Sequence, residues 1–403
     1  MINNAGSVIE LYHDKILVIL WEERVMMQYA RTKAVIYLNN ILFNVNELKK
    51  KIADGTKVMF IIKADGYGHG AVRIMEFLGD NVDAYGVAVI DEAVSLRQAG
   101  CDKMILILGY TPKSCLKYVV QYDISQAIFD YESAKMLSEE AVRQGKNARI
   151  HIKLDTGMGR IGFIPGKEAI NIIKKIAALP NIVLEGCFTH FSKADEKDLS
   201  YTREQYEKYT YMINSLKEEG ISFAIKHVCN SAGVIQFPEA ALDMVRFGIA
   251  SYGLYPSPDI DETMIELKPA LEWKSIISNI KRVPAGTRIS YGGTYIAESD
   301  RIIATVPVGY ADGYPRALSN QGRVIVKGVS VPIVGRVCMD QFMIDITDTP
   351  EASIEDEVTL VGKDGNEFIS VEEIAVYGNS FNYEMVCDIG KRVPRLYSTT
   401  VVN

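Results

Sequence analysis

The strongest constraint on the fold is an alternation of β-rich runs with helix-length amphipathic segments, which begins near residue 35. Nine apolar or β-branched runs are candidate strands: 35–39, 58–63, 84–89, 104–109, 125–130, 148–155, 182–190, 223–230 and 244–248. Helix-like segments between them, with apolar residues recurring at intervals of three and four, include 40–53, 91–99, 131–144, 167–178 and 201–219. This alternation predicts parallel strands joined by right-handed crossovers.

Nine candidate strands are one too many for an eight-stranded barrel, so we expect the first to lie outside it and to join the C-terminal domain. A doubly wound open sheet is the competing architecture, and counting strands does not separate the two. The polar motifs follow many different strands at their C-terminal ends, where barrel active sites lie. The predicted fold class is therefore α/β, with an N-terminal eight-stranded (β/α) TIM-type barrel followed by a mainly β C-terminal domain.

The pattern changes near Pro269, where β-rich runs separated by Gly, Pro and Asp-Gly turns take over. The turn residues 363–366, between 358–361 and 367–370, predict a hairpin, and 371–377 predicts a single short helix. We therefore predict a barrel domain over 31–268 and a mainly β domain over 269–403. The first 30 residues fit neither domain.

These first 30 residues are predicted to be a dispensable N-terminal extension. A small helix, a flexible arm or a translation start near Met26 or Met27 are the alternatives for this segment. Deletion of residues 1–25 should leave activity intact.

Composition excludes several classes of protein. A net charge of −7 without a basic block argues against nucleic-acid binding. The apolar run 16–21 is far shorter than the roughly 20 residues of a membrane span. The six cysteines are scattered without paired spacing, which favours free thiols in a reducing compartment, and the five histidines lack metal-ligand spacing. We expect a cytoplasmic protein with no metal and with no nucleic-acid or membrane partner.

The strongest local signal is the segment 62–70, Ile-Lys-Ala-Asp-Gly-Tyr-Gly-His-Gly. An apolar strand leads directly to Lys63 at the start of a glycine-rich loop. Partial withdrawal from water would favour the neutral amine, which is the form that attacks a carbonyl to make a Schiff base. A surface lysine after a strand is the commoner arrangement, and the Tyr-Gly-His-Gly that follows is what favours the chemical interpretation.

The stretch KADGYGHG resembles the pyridoxal-lysine motif of bacterial alanine racemases, whose fold is an α/β barrel followed by a β domain. Eight further motifs resemble that family in the same order: 153–162, 189–191, 230–233, 245–249, 290–292, 308–313, 338–340 and 382–384. One departure is Gly66, where the family usually has alanine. We expect this glycine to loosen the loop without removing a functional group.

The resemblance implies a pyridoxal 5'-phosphate enzyme that interconverts L- and D-alanine by two-base proton exchange. Lys63 would hold the cofactor as an aldimine and exchange the α-proton on one face of the substrate. Tyr291 of the partner subunit would serve the other face, and a phenol is a weak base unless its surroundings favour the phenolate. His227 would link this tyrosine to Arg246. In a bacterium, the D-alanine would supply peptidoglycan synthesis.

The same resemblance places Arg246 on the pyridine nitrogen of the cofactor. Because a guanidinium does not give up its proton, that nitrogen would stay unprotonated. The cofactor ring would then withdraw electrons less strongly than one with a protonated nitrogen. His190 would lie beside the ring. The remaining cofactor contacts, most of them to the phosphate, would come from Tyr67, Asn230, Ser231, Gly248, Ile249 and Tyr383. From the residues alone, Arg246 could instead form a salt bridge and 230–233 could be an ordinary helix N-cap.

On the substrate side, Arg160 and the backbone of the partner's Met339 would bind the carboxylate. Lys153 matches a lysine that is carbamylated in many family members, which would orient Arg160; a simple structural lysine is the alternative. Tyr310, Cys338 and Asp340 would support the site, Cys338 through packing. Because the resemblance has Tyr291 and Met339 acting across an interface, it implies a homodimer with shared active sites.

Three rival functions remain open at this stage. The first is racemisation of serine, against which Tyr383 argues because serine-preferring relatives carry a smaller residue there. The second is decarboxylation of a basic amino acid, whose electron demand Arg246 would suit badly. The third is a non-catalytic pyridoxal-phosphate carrier, which would resemble only the barrel.

Overall fold

The computed structural model describes residues 30–400, which form two compact units. The β unit contains β1 (Thr32–Tyr37) and the chain from Leu271 to Thr399, and the barrel unit contains Leu38–Ala270. The predicted N-terminal extension lies outside the described residues apart from Ala30. Within residues 30–400, no helix is long and apolar enough to cross a bilayer.

The barrel unit is built on eight parallel strands. They are β2 (Lys57–Ile61), β3 (Ala84–Val87), β4 (Met104–Ile107), β5 (Ser125–Ile128), β6 (Ala148–Lys153), β7 (Ile182–Phe188), β8 (Ile225–His227) and β9 (Met244–Phe247). They are hydrogen-bonded in the order β8-β7-β6-β5-β4-β3-β2-β9. Just beyond β8, the Arg246 amide of β9 donates to the Cys229 carbonyl at 3.0 Å, which brings the ring close to closure. The predicted barrel is confirmed.

Helices connect the strands of the barrel. They are α1 (Leu38–Lys49), α2 (Ala71–Leu78), α3 (Ile90–Gln98), α4 (Leu116–Gln121), α5 (Tyr131–Gln144), α6 (Lys167–Ala177), α7 (Ser200–Glu218) and α8 (Ser231–Gln236). Helix α5 has the limits that the sequence predicts, because both of its ends are encoded locally. Asp130 accepts a hydrogen bond from the Ser133 amide at 2.7 Å, and Gly145 ends the helix at φ +63°.

The β unit contains a ten-stranded, mainly antiparallel sheet and a separate two-stranded sheet. Its further strands are β10 (Leu271–Ile276), β11 (Asn279–Val283), β12 (Arg288–Ile289), β13 (Tyr295–Ile296), β14 (Arg301–Val306), β15 (Arg323–Val326), β16 (Val329–Val334), β17 (Phe342–Asp345), β18 (Glu357–Asp364), β19 (Glu367–Ile369) and β20 (Arg395–Ser398). The main order is β11-β14-β17-β16-β15-β18-β10-β1-β20. The predicted hairpin is present, with Asp364 opposite Glu367.

The strand β1 belongs to this sheet although it precedes the barrel in the chain. It pairs antiparallel with β10 and parallel with β20, and the Trp273 indole donates to the Thr32 hydroxyl at 2.8 Å. The predicted barrel range of 31–268 therefore differs from the compact unit at its start. The reason is geometric: the eight strands that follow already bring the ring close to closure, so β1 pairs elsewhere.

The C-terminal region has two helices, α9 (Val371–Gly378) and α10 (Asn382–Asp388), where the sequence predicts one. Ser370 begins α9 by accepting a hydrogen bond from the Glu373 amide at 3.0 Å, and Asn379 ends it at φ +50°. The second helix was missed because it is short and its N-cap, Phe381, has no side-chain acceptor.

Candidate active site

Lys63 lies directly after β2, at the start of a turn with unusual backbone geometry. The next four residues all have positive φ: Ala64 +52°, Asp65 +52°, Gly66 +62° and Tyr67 +51°. Left-handed backbone costs about 1–2 kcal/mol for each residue with a side chain. Hydrogen bonds offset this cost, including one from the Ala64 amide to Glu92 at 2.7 Å. The turn fixes the lysine where the strand ends, with its ammonium 5.9 Å from the centre of the Tyr67 ring.

Gly66 has a different effect from the one that the sequence suggests. It is buried in the left-handed turn, where a Cβ would lie 3.2 Å from the Ile74 side chain. Glycine adopts this conformation without the steric penalty of other residues. The departure from the family's alanine therefore relieves strain in the turn and does not loosen it.

Two hydroxyl groups converge over Gly248, which follows β9. A Cβ at this position would lie 3.4 Å from the Ser231 hydroxyl and 3.5 Å from the Tyr67 hydroxyl. The amides of Gly248 and Ala250 donate to the Ser231 hydroxyl at 2.9 and 3.4 Å. Hydroxyls and amides gathered around a glycine can satisfy the oxygens of a phosphate group. The structure thus brings together the predicted phosphate residues Tyr67, Ser231 and Gly248.

Asn230 begins α8 as its N-cap, with its side-chain oxygen accepting from the Gly233 amide at 2.9 Å. The N-cap interpretation of this motif is therefore realised. Its neighbour Ser231 remains oriented toward Gly248, and Ile249 is buried directly after that glycine.

Arg246 lies on β9, next to β2, and its side chain is buried. Its terminal nitrogens donate to neutral acceptors only: the carbonyls of Thr189, His227 and Val228 at 2.8–3.1 Å, and ring nitrogens of His227 and His190. Within residues 30–400 no carboxylate pairs with it, so the salt-bridge alternative is wrong. Burial lowers the pKa of Arg246 to about 10, which leaves it charged at neutral pH.

His227 has a different place from the predicted one. It is fully buried, Phe188 stacks on its ring at 4.7 Å, and both ring nitrogens are engaged. Nδ1 faces Arg246 at 2.9 Å and Nε2 faces His151 at 2.9 Å. No ring nitrogen is left to reach Tyr291, so the predicted link between that tyrosine and Arg246 cannot pass through His227.

His190 follows β7 and lies against the same arginine. Its Nδ1 is 3.2 Å from Nη2 of Arg246, and the residue is only partly buried. Burial of the ring and the positive charge of Arg246 hold the pKa of His190 well below its usual range. It is therefore a neutral imidazole that keeps part of its surface open, as expected for a residue beside a cofactor ring.

Lys153, at the end of β6, is buried with its ammonium 2.8 Å from the Leu154 carbonyl and 5.3 Å from the Phe188 ring centre. Burial, reinforced by the charge of Arg246, lowers the pKa of Lys153 to about 7. Arg160 is exposed on the following loop, and its charge acts in the same direction on this lysine. A large fraction of Lys153 is thus a neutral amine at neutral pH.

In the β unit, three predicted segments form one exposed cluster. The amides of Tyr310 and Ala311 donate to the carbonyls of Cys338 and Met339 at 3.1 and 3.0 Å. Ser290, at φ +64°, lies 3.5 Å from the Cys338 sulfur and presents Tyr291, whose exposure is 70 %. Met339 is also exposed. These side chains are displayed at a surface and are not buried in the core of the unit.

The two remaining predicted residues lie near the C-terminal helices and strands. Asp340 accepts a hydrogen bond from Arg392 at 2.7 Å, and Tyr383 lies on α10 with its ring 5.4 Å from that of Phe381. Both belong to the β unit.

Sequence reasoning missed His151 and Glu185, which extend the hydrogen-bond network behind His227. His151 is two residues before Lys153 on β6, so both face the same side of the strand. Glu185 is the single carboxylate of β7 and precedes a glycine. An isolated glycine inside a strand is a sign of a bulge, and this signal was available in the sequence.

The chain matches family models over most of its length. Residues 36–256 match the alanine racemase N-terminal domain, and residues 270–397 match the alanine racemase C-terminal domain. An alanine racemase of Clostridium tetani is 45% identical over 366 residues, which cover 90% of this chain and 94% of that one.

Solved structures give the same result. An alanine racemase structure from Clostridium difficile 630 superposes with a TM-score of 0.89 at 41% identity, covering 92% of this chain and 96% of that one. A histidine racemase from Leuconostoc mesenteroides subsp. sake shares the fold at a TM-score of 0.84 but only 26% identity, covering 92% of this chain and 98% of that one. With both domains matched in order, the chain belongs to the alanine racemase family.

Proposed function

We propose that this chain interconverts L- and D-alanine with pyridoxal 5'-phosphate bound to Lys63. The observation that carries the proposal is the pairing of β2 with β9, which brings the loop of Lys63 beside the buried Arg246 and the Gly248 turn. The amine, the cation and the hydroxyl groups needed for one cofactor thus come from neighbouring strand ends of one barrel.

The residues present fit that cofactor. The Gly248 turn leaves the space of a side chain between two hydroxyls, which suits a phosphate ester. Arg246 has both terminal nitrogens engaged by protein acceptors, and among residues 30–400 none accepts from its Nε. This N–H remains for a ring nitrogen. The partly open His190 would flank the ring.

When bound, the cofactor supplies an electron-accepting ring that acidifies the α-hydrogen of an amino acid. The chain's own groups then move protons. Lys63 removes the α-proton from one face of the substrate and returns it there in the reverse direction. Tyr291 does the same on the opposite face, because a single base would return the proton to the side from which it came. Arg160 would bind the substrate carboxylate.

We infer that each active site uses two chains. Tyr291 and Met339 are exposed in the β unit, whereas a proton-transferring phenol works best when withdrawn from water. The barrel unit of a second copy would cover them. A homodimer with two shared sites is the smallest assembly that covers both clusters.

Lys153 is proposed to carry a carbamate, formed when its neutral amine attacks carbon dioxide and releases a proton. A pKa of about 7 supplies the neutral amine, and the resulting anion would orient Arg160. Native intact-mass measurement at mildly alkaline pH, which avoids the acid that decomposes carbamates, should show about 44 Da added to the chain, as expected for addition of carbon dioxide. An unmodified mass in bicarbonate buffer would contradict this.

In a bacterial cell, the D-alanine would serve peptidoglycan synthesis. The six cysteines without paired spacing suit the reducing cytoplasm, where we expect the enzyme to work.

The deciding experiment compares initial rates of D-product formation from L-alanine, L-serine and L-histidine by the purified, cofactor-loaded protein. We expect alanine to be racemised fastest. Dominant serine or histidine turnover would keep the mechanism and overturn the substrate assignment. A protein that binds the cofactor but racemises none of the three would be a binding module or a decarboxylase, which product analysis on lysine and ornithine would separate.

A further inference from the structure

A row of polar groups, with two buried histidines in the middle, connects Arg246 to the carboxylate of Glu185. Nη1 of Arg246 is 2.9 Å from Nδ1 of His227, and Nε2 of His227 is 2.9 Å from Nδ1 of His151. Nε2 of His151 is 3.1 Å from the Glu185 carboxylate. Both histidines have no exposed surface. The row crosses four neighbouring strands, β9, β8, β6 and β7, and each contact has hydrogen-bond length.

The backbone of β7 is shaped to make this row. Pairing with β6 shifts register at this point, because Ile150 is opposite Leu184 whereas His151 is opposite Gly186. Glu185 is therefore the extra residue of a bulge, a feature that redirects a side chain. Gly186 admits the histidine: a Cβ there would lie 2.3 Å from Nδ1 of His151. The bulge at Glu185 and the missing side chain at Gly186 thus both make room for the contact between Glu185 and His151.

Donor and acceptor chemistry gives the row one direction. Arg246 can only donate, so Nδ1 of His227 must accept and its proton must lie on Nε2. That proton points to Nδ1 of His151, which leaves the proton of His151 on Nε2, directed at Glu185. Burial and the charge of Arg246 hold the pKa of His227 well below its usual range, so this ring is neutral.

The carboxylate at the end of the row is charged. Burial would raise the pKa of Glu185, but hydrogen bonds from His151 and Ser125 outweigh it and lower the pKa below its usual range. The Ser125 hydroxyl donates at 2.5 Å, and the partly exposed Arg149 lies 3.7 Å from the other carboxylate oxygen. Arg149 also pairs with Asp123, which touches neither histidine.

We propose that Glu185 and His151 are positioning residues: from the other end of the row they favour the same tautomer of His227 that Arg246 requires, and they thereby hold the guanidinium in one orientation. The consequence for catalysis rests on the proposed function, since it requires that Arg246 face the cofactor. The tautomer of His227 does not depend on the proposed function. Among the described residues, the buried cation Arg246 contacts only neutral acceptors. The negative charge at the other end of the row, on Glu185, is separated from it by two imidazole rings.

The first test is nitrogen NMR of the cofactor-loaded protein labelled in its five histidines, assigned with single His variants. We expect His151 and His227 to be neutral, each with its proton on Nε2. A wild-type spectrum with the proton of His227 on Nδ1 overturns the proposal. This result does not depend on whether the protein racemises alanine, so failure of the proposed function is seen separately.

The second test uses Glu185→Gln and Glu185→Leu, with Asp123→Asn as the matched control. The control removes a carboxylate from the same Arg149 without touching the histidines. We expect kcat to fall by about tenfold in Glu185→Leu and less in Glu185→Gln, the scale seen when outer partners of a functional histidine are removed. KM should change little, and the His227 signals should broaden or shift. Asp123→Asn should match wild type in both measurements.

A measurement of thermal stability separates a positioning role of Glu185 from a purely structural one. If Glu185→Leu lowers Tm but leaves the His227 tautomer and kcat unchanged, the carboxylate is only structural and the proposal fails. If Glu185→Leu does not fold, Ser125→Ala provides the graded version. It removes one donor to Glu185, and it should shift the His151 signals measurably while leaving those of His190 in place.

Discussion

The two units treat their functional side chains in opposite ways. In the barrel unit, Arg246, His227 and Lys153 are buried and engaged in hydrogen bonds within one chain. In the β unit, Tyr291 and Met339 are 70 % and 52 % exposed. A buried charge is costly unless its surroundings are arranged for it, whereas an exposed phenol costs nothing. The barrel side is therefore preorganised by folding, whereas in the proposed homodimer the β side would be completed only by association.

The largest expected effect comes from removing the reactive amine of the barrel side. Lys63→Ala should lower the racemisation rate by about a thousandfold or more, the scale of losing a covalent catalytic group. The visible absorbance of the lysine-bound cofactor should also be lost. Lys174→Ala, which removes an exposed lysine paired with Glu219, should change neither. Retention of the absorbance in Lys63→Ala would show that another lysine binds the cofactor.

The next largest effect is expected from the exposed Tyr291 of the β unit. Tyr291→Phe should lower the racemisation rate by about a hundredfold or more, as expected for loss of a general acid–base group. Its folding should be unchanged because the hydroxyl is at the surface. Equal Tm values with a strong loss of rate are the expected result, and a lowered Tm without loss of rate would refute the assignment.

Mixing the two inactive variants sharpens this test. If sites are shared, a heterodimer of Lys63→Ala and Tyr291→Phe chains contains one intact site, and random assortment restores about a quarter of wild-type activity. Sites formed within one chain would give no recovery. Unfolding and refolding each variant alone is the control.

A third effect contrasts the buried Lys153 with the partly buried Lys274. In the β unit, burial opposes the charge of Lys274, but Glu357 and Glu272 outweigh it and raise the pKa. In the barrel unit, Lys153 has a pKa lowered to about 7 from 10.5. Between these two values the unfolded chain binds one more proton than the folded chain, so Lys153 makes stability rise with pH by about 1 kcal/mol per pH unit.

Urea unfolding at pH 7, 8 and 9 in carbonate-free buffer, on protein with an unmodified mass, measures this slope. Lys153→Met should flatten it and should be more stable than wild type at pH 7. Lys274→Met, the matched control, should keep the slope and lose stability. Identical slopes in wild type and Lys153→Met would contradict the lowered pKa.

The smallest effect concerns the strained turn of the barrel side. Gly66→Ala should lower the free energy of unfolding by about 1 kcal/mol, because alanine adopts left-handed backbone unfavourably. Gly145→Ala is the control, with φ +63° and open space around its Cβ. We expect the two costs to be similar, with Gly66→Ala slightly larger because Ile74 must move. A stabilised Gly66→Ala protein would argue against the turn geometry.

Much of the barrel could be predicted because its signals are local. Alternating apolar periods, together with caps such as Asp130 and Gly145, mark the elements within a few residues. The sheet to which β1 belongs was harder to predict. Its pairing with β10 and β20 joins residues far apart in the sequence, and counting strands only suggests it. In the site, motifs pointed to Lys63 and Arg246, which the pairing of β2 with β9 brings close together. The row through His151 and Glu185 was missed: a glycine inside β7 hinted at a bulge, but only the pairing with β6 shows which way the carboxylate faces.

The division of the sheet between the two ends of the chain has a consequence for synthesis. Strand β1 emerges from the ribosome first, but its neighbours β10 and β20 follow only after the 233 residues from Leu38 to Ala270. At about 5–20 residues per second, β1 waits roughly 10–50 s for the first of them. The barrel can fold during this interval, whereas the sheet is completed only when residues 395–398 appear. A nascent chain arrested before β10 should therefore contain a protease-resistant barrel and a cleavable first strand.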